Sequence, residues 1–355
     1  MIFVDGNPFP ATSSRQGKEV MFGLMEHPAV VAASDAFKSF PERKFSVLED
    51  PGLQDRRWVY LFQREYATVD PSLVEFIGTD EATTCVGVVI RNQKNGMISV
   101  THMDSPKVVS IGLKQMLLQL AAHDSDAEYD VHIVGAFDDV TPNYASSPST
   151  TKQSSKLDGY SLPLCTKVVE ALGKRQERFH MRTLFILGHN TKWDAQNIAY
   201  PIFNGLLVET STGSVFPACF DRTTRCPDEV VRRIRVSASY EDPTWKGKLL
   251  DTYDTRTDQF VIAPCSWSFY QLNVAFALQN LSDEEILLQC STSPSAEGPD
   301  FVNNLKRQWE YLFRHPKWQE TFPRRQARVF VRSANGNWDL LPLSEKDAFD
   351  HVSGI

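Results

Sequence analysis

Apolar positions along this chain fall into short runs of strand length and longer stretches with helical spacing. Continuous or alternating apolar character predicts strands at residues 2–5, 57–69 and 129–137, two more within 78–104, and one at 182–189. Apolar residues recurring every three or four positions predict helices around 28–39, 111–123 and 160–175. Further strands are expected at 203–210, 214–220, 247–253 and 258–264, with helices at 227–235, 268–279, 281–289 and 300–314. The tail over 328–343 predicts a hairpin across Asn335-Gly336. A polar stretch rich in Ser, Thr and Pro at about 141–155 predicts an exposed loop. Helix and strand keep alternating beyond it, which favours one continued domain over 1–355. The pattern reads as α/β or α+β, with two sheets or one large mixed sheet. The fold expected is α+β, a mixed β-sheet sandwich flanked by helices.

Composition narrows the function. With 7 Trp, 10 Tyr and 22 Phe the chain is too aromatic to be disordered. A net charge of -7 argues against a nucleic-acid partner. The basic runs at 232–235 and 324–328 are expected to be solvated faces. No stretch approaches ~18 consecutive apolar residues, so no membrane partner is expected. No early segment has the make-up of a signal peptide. Six scattered cysteines without CxxC pairs suit a reducing compartment, cytoplasm or nucleus. His132, His189, Asp138 and Asp139 show no ligand spacing, so no metal or other cofactor is expected. Nothing signals oligomerisation, and a monomer is the expectation.

One stretch carries candidate chemistry: GTDEATTCVGVVIRNQKNGMISVTHMD, residues 78–104. Cys85 stands where a polar, turn-like segment meets an apolar strand, and His102 closes the next strand. A two-residue turn at Asn95-Gly96 would make paired numbers sum to 191 and leave the two ~13 Å apart. A six-residue loop over 91–96 would make the sum 187 and set Cys85 opposite His102, with β-carbons ~5 Å apart. Both registers put the two residues on one face, so alternation does not choose between them. The backbone N–H groups around Thr84 and Cys85 are candidate oxyanion donors.

The segments QRE (63–65), GTDEATTC (78–85), THMD (101–104), VGAFDD (134–139), YD (253–254), APCSW (263–267) and STSPSAEGPDFV (291–302) together resemble the protein N-terminal asparagine amidohydrolases. The resemblance follows one order along most of the chain and implies a deamidase-like core with Cys85 as nucleophile. Distant kinship with chemoreceptor glutamine deamidases and cytotoxic-necrotizing-factor toxins implies His102 and Thr79 as its catalytic companions. It also implies hydrolysis of the side-chain amide of N-terminal asparagine, with protein or peptide substrates that feed the N-degron degradation machinery. A free α-amino group calls for an acidic reader, for which Asp104, Glu81 and Glu65 are candidates. A papain-like peptidase would place its cysteine at a helix start with histidine far downstream. A glutamine-specific N-terminal amidase and a non-catalytic adaptor are the other rivals.

Overall fold

The computed structural model describes residues 1–10, 17–120, 127–140, 158–333 and 336–342. The loop expected at 141–155, and Asn335 of the tail hairpin, lie outside the described residues. From the N-terminus the chain forms β1 (Ile2–Val4), β2 (Asn7–Pro8), α1 (Gly17–Met25) and α2 (Pro28–Ser39). Pro28 opens α2 and the His27 side chain accepts from the Ala29 N–H, which fixes where the helix starts. Then come β3 (Arg43–Phe45), β4 (Trp58–Tyr60), β5 (Glu65–Val69), β6 (Phe76–Thr79), β7 (Val86–Asn92) and β8 (Ile98–Met103). After α3 (Pro106–Leu120) follow β9 (Glu128–Phe137), α4 (Ser161–Gly173) and β10 (Arg178–Leu187). The short pair β11 (Thr191–Trp193) and β12 (Ala199–Pro201) precedes β13 (Leu206–Glu209), β14 (Ser214–Phe220) and α5 (Glu229–Ser239). The remainder holds β15 (Leu250–Asp251), β16 (Tyr253–Asp254), β17 (Gln259–Ile262), α6 (Phe269–Leu278) and α7 (Asp283–Cys290). It ends in α8 (Phe301–Arg314), α9 (Trp318–Thr321), β18 (Arg328–Arg332) and β19 (Trp338–Leu340).

An eight-stranded mixed sheet, ordered β15-β5-β8-β7-β9-β10-β1-β2, lies against a five-stranded sheet, ordered β3-β14-β13-β6-β4. Period-two alternation in β7 shows how the layers stack. Val86, Val88 and Ile90 point into a core shared with Met21 of α1, Leu113 of α3 and Leu164 of α4. Val89 points the other way, into a core shared with Ile77, Leu206 and Val208 of the second sheet. Gly87 also faces the second sheet, where a β-carbon would come 2.6 Å from Leu206 Cδ2. A side chain there would require the Leu206 side chain to move. The α+β architecture expected from the pattern is present. The tail hairpin forms as well, with β18 paired antiparallel to β19. No helix among the described residues is long and apolar enough to cross a membrane.

Three expectations change. The strand expected over 247–253 is two short strands, β15 in the eight-stranded sheet and β16 in a separate four-stranded sheet ordered β16-β17-β18-β19. The strand expected over 57–69 is two strands in different sheets, β4 and β5, separated by a turn in which Arg64 takes φ 66°. Apolar continuity hid this break, because Leu61 and Phe62 in the turn are themselves buried. The basic run at 232–235 is no solvated face. Arg232 and Arg235 have 0% exposed side chains, and each pairs with the equally buried Glu65, at 2.6 and 3.1 Å. Arg232 also donates to the Tyr60 carbonyl at 2.6 Å, and Glu65 accepts from the Phe62 N–H at 2.9 Å. One ionic cluster thus ties α5 to the turn between the two sheets. The second run keeps the expected character at Arg324 and Arg325, which are exposed.

Removing one partner of such a cluster strands the others in a medium that does not solvate them. Glu65→Ala is expected to destabilise the fold by about 3–5 kcal/mol, read as a lowered denaturant midpoint at unchanged slope. A loss below about 1 kcal/mol would show that water reaches the two arginines.

Candidate active site

Pairing between β7 and β8 sets Gly87 opposite His102 and Val86 opposite Met103, so paired numbers sum to 189. Neither register considered from the sequence is the observed one. The reason is Asn92. Its side chain accepts from the Lys94 and Asn95 N–H groups at 2.9 and 3.3 Å, while its N–H bonds the Met97 carbonyl. Those bonds close a four-residue loop over 93–96, with Gly96 at φ 75°. Cys85, one residue before β7, is therefore diagonal to His102 on the same face. Diagonal neighbours lie ~7–8 Å apart, within reach of long side chains.

The segment that carries Cys85 is held by main-chain bonds. At the end of β9, Gly135 (φ 120°) and Ala136 (φ 43°) bend the strand. The Ala136 N–H then donates to the Cys85 carbonyl at 2.7 Å, and the Phe137 N–H to the Thr83 carbonyl at 3.1 Å. A β-carbon on Gly135 would stand 2.7 Å from the Cys85 carbonyl oxygen, so the tether requires glycine. On the other side, Thr84 Oγ1 lies 3.1 Å from Thr292 Oγ1, and Ser293 Oγ donates to Thr83 Oγ1 at 3.0 Å. The Thr84 and Cys85 N–H groups make no backbone bond among the described residues.

His102 is 1% exposed. Its Nδ1 is 2.8 Å from Thr79 Oγ1, which reaches it across the two sheets from β6. Its Nε2 is buried with no hydrogen-bond partner among the described residues. Burial lowers its pKa to about 4, against the pull of Asp104 and Glu81. Burial also pushes the Cys85 thiol up, helped by the negative charges of Asp104 and Glu297, while the Thr84 hydroxyl works the other way. The resting pair is thus neutral thiol and neutral imidazole.

Cys85 and His102 line one cavity of about 370 Å³, walled by α5, α8 and the 291–297 loop. A larger cavity of about 660 Å³ by Asp251 and Tyr253 contains none of the candidate residues. Of the three carboxylates proposed from the sequence, Glu81 lines the smaller cavity, but Arg233 grips both its oxygens at 2.9 and 3.0 Å. Arg225 adds a contact at 2.8 Å. Burial alone would raise the Glu81 pKa, yet Arg233 and Arg225 hold it well below the usual carboxylate range. Glu65 does not line the cavity, and its carboxylate oxygens are taken by Arg232 and Arg235. Asp104 does not line the cavity; Tyr240 donates to its Oδ2, and its buried Oδ1 has no hydrogen-bond partner among the described residues.

Sequence reasoning missed Glu297. It lines the cavity, and Ser291 Oγ donates to its carboxylate. Burial, opposed by that bond, raises its pKa to about 7. The only signal is its place in the 291–302 segment that resembles the family, in which no single residue stands out as a site candidate.

The family model described as protein N-terminal asparagine amidohydrolase matches residues 49–340. A protein N-terminal asparagine amidohydrolase of Arabidopsis thaliana is 56% identical over 95% of this chain and 99% of its own length. Those of Mus musculus and Homo sapiens are 29% and 27% identical, over 80% and 87% of this chain and 84% and 94% of their own lengths. With a cysteine and a histidine opening on one cavity and this likeness running along nearly its whole length, the chain belongs to the protein N-terminal asparagine amidohydrolase family and is a hydrolase acting on amides.

Proposed function

We propose that the protein hydrolyses the side-chain amide of an N-terminal asparagine in proteins or peptides, leaving N-terminal aspartate and ammonia. The observation that carries this reading is the shared cavity of Cys85 and His102, where Nε2 has no hydrogen-bond partner among the described residues and is left for a substrate or the thiol. The relatives bear that activity in their names.

The residues supply each part of a thioester route. With Nδ1–H donating to Thr79 Oγ1, the Nε2 lone pair faces the cavity as a base. Nε2 takes the thiol proton as sulfur attacks the amide carbon, forming the C–S bond and a tetrahedral oxyanion. The Thr84 and Cys85 N–H groups are the donors for that oxygen, each worth ~3 kcal/mol in such a role. The imidazolium returns its proton to the departing nitrogen, the C–N bond breaks and ammonia leaves. Water, deprotonated by the same imidazole, then attacks the thioester; the C–O bond forms, the C–S bond breaks, and thiol and carboxylate are released. No step needs a metal or cofactor.

A free α-amino group carries positive charge and needs a negative group to meet it. Glu65 and Glu81 have their oxygens committed to arginines. Asp104 keeps one buried oxygen without a hydrogen-bond partner among the described residues, but it does not line the cavity. Choosing asparagine over glutamine by depth alone would yield only ~1–3 kcal/mol, so the amide itself must be hydrogen-bonded in one place. Conversion of N-terminal asparagine to aspartate places the protein ahead of arginylation in the N-degron route. Six free cysteines suit the reducing cytoplasm or nucleus. We read residues 1–355 as one amidohydrolase domain.

Cys85→Ala is expected to abolish ammonia release from peptides beginning with asparagine, with no peptide-bond cleavage by either protein. Ammonia from the variant, or cleaved peptide from the wild type, would end the proposal. The same assay should spare peptides beginning with glutamine or acetylated asparagine. Thr79→Val frees the imidazole to turn and should lower kcat by on the order of 100-fold with little change in KM. A KM effect alone would remove Thr79 from the chemistry.

The lowered His102 pKa sets a pH signature. The base is neutral above about 4, so the acid limb of kcat/KM should lie well below the ordinary imidazole value. The unfolded chain binds a proton at this histidine below its ordinary value of 6.5, whereas the folded chain does so only near 4. Its stability contribution is therefore present above pH 6.5 and lost as pH falls towards 4. His102→Gln should flatten that part of a pH–denaturation profile.

A further inference from the structure

A cavity that selects a free chain terminus needs a carboxylate whose charge is not already spent. Two glutamates line the cavity that holds Cys85. Glu81 is matched by Arg233 and Arg225. Glu297 has only the Ser291 hydroxyl, and among the described residues no cation offsets it. It is also mechanically joined to the nucleophile. The loop that carries it is bonded to Thr83 and Thr84 through Ser293 and Thr292, directly before Cys85. Asp104, the other acidic neighbour of the thiol, is contacted by Arg64 at 3.9 Å and covered by Tyr240.

We propose that Glu297 binds the α-ammonium of the substrate and that this neutralisation arms Cys85, so that the nucleophile is activated by the group that marks a free N-terminus. This rests on the reading of the cavity as the site of N-terminal asparagine hydrolysis. The physical argument is one of charge balance. In the empty cavity Glu297 and Asp104 both oppose formation of a thiolate, and burial removes the water that would soften them. Of the other ionisable groups around the sulfur, His102 is neutral, Glu81 and Arg233 offset each other, and Tyr240 is an un-ionised phenol. An ammonium seated on Glu297 cancels one of the two opposing charges and leaves its own field favouring sulfur anion. A blocked terminus brings no charge; it meets an unneutralised carboxylate and a protonated thiol. Selectivity then acts on the chemical step as well as on binding.

The test uses Glu297→Gln, whose amide oxygen still accepts from Ser291. In wild type and variant, kcat/KM is measured for an asparagine-initiated peptide and its N-acetylated counterpart. The free-over-acetylated ratio is expected to fall roughly 10- to 100-fold in the variant, and Glu297→Asp should recover part of it. The second readout is the rate of Cys85 alkylation by iodoacetamide at about pH 8, which tracks the thiolate fraction. Methylammonium, still charged at that pH, should raise the wild-type rate on the order of tenfold, with sodium at equal ionic strength as control. The variant should start at the faster rate and ignore methylammonium. An unchanged selectivity ratio, or a wild-type rate indifferent to methylammonium, overturns the proposal. If the wild type releases no ammonia from the free peptide, it is the underlying functional reading that has failed.

Discussion

Glu65 holds two arginines that have no exposed surface, and the site depends on that bargain. The carboxylate sits at the first residue of β5, its partners one turn apart on α5, and Arg232 reaches on to the Tyr60 carbonyl at the end of β4. The cluster therefore pins a helix to the point where the chain passes from one sheet to the other. That helix supplies Arg233, Val236 and Ser237 to the cavity wall. The neighbouring turn supplies Arg64, whose N–H bonds the His102 carbonyl at 2.7 Å. A hydrophobic contact would fill the same volume but would not orient the helix face in the same way, because charge pairs with this geometry tolerate one arrangement.

Within that frame Cys85 and His102, the pair proposed to do the chemistry, are kept neutral by burial. Most thiol enzymes lower the cysteine pKa in the resting state; here the surroundings raise it and lower that of the imidazole. Under the proposed mechanism, the thiol reacts poorly with small electrophiles until the cavity is filled. The stored cost is the desolvation of two groups that together would form an ion pair.

Much of this was legible in the chain. Alternation alone placed Cys85 and His102 on one face, and the observed register of 189 keeps that parity although it matches neither turn considered. The register itself was hidden because a side chain, Asn92, builds the turn; the Asn95-Gly96 dipeptide does not build it alone. The arginines of 232–235 looked solvated because their partners are far off in sequence: Glu65 is 167 residues from Arg232, and Glu81 is 152 from Arg233. Charge runs reveal their partners only after folding. Glu297 was missed for the same reason, since the hydroxyls that join its loop to Thr83 and Thr84 lie some two hundred positions away.

The bend at Gly135 and Ala136 has a consequence for how such a protein can diversify. The Cys85 carbonyl is anchored by a main-chain amide, which no substitution at position 136 other than proline removes. The facing wall, by contrast, is made of side chains on α8 and the 291–297 loop. Thr292 and Ser293 of that loop help to hold the Cys85 segment, but the side chains of Phe301 and Leu305 on α8 carry none of those bonds and can be exchanged without disturbing where the sulfur sits. Descendants of this scaffold are thus free to explore what enters the cavity from the α8 side while the Cys85 segment keeps its place.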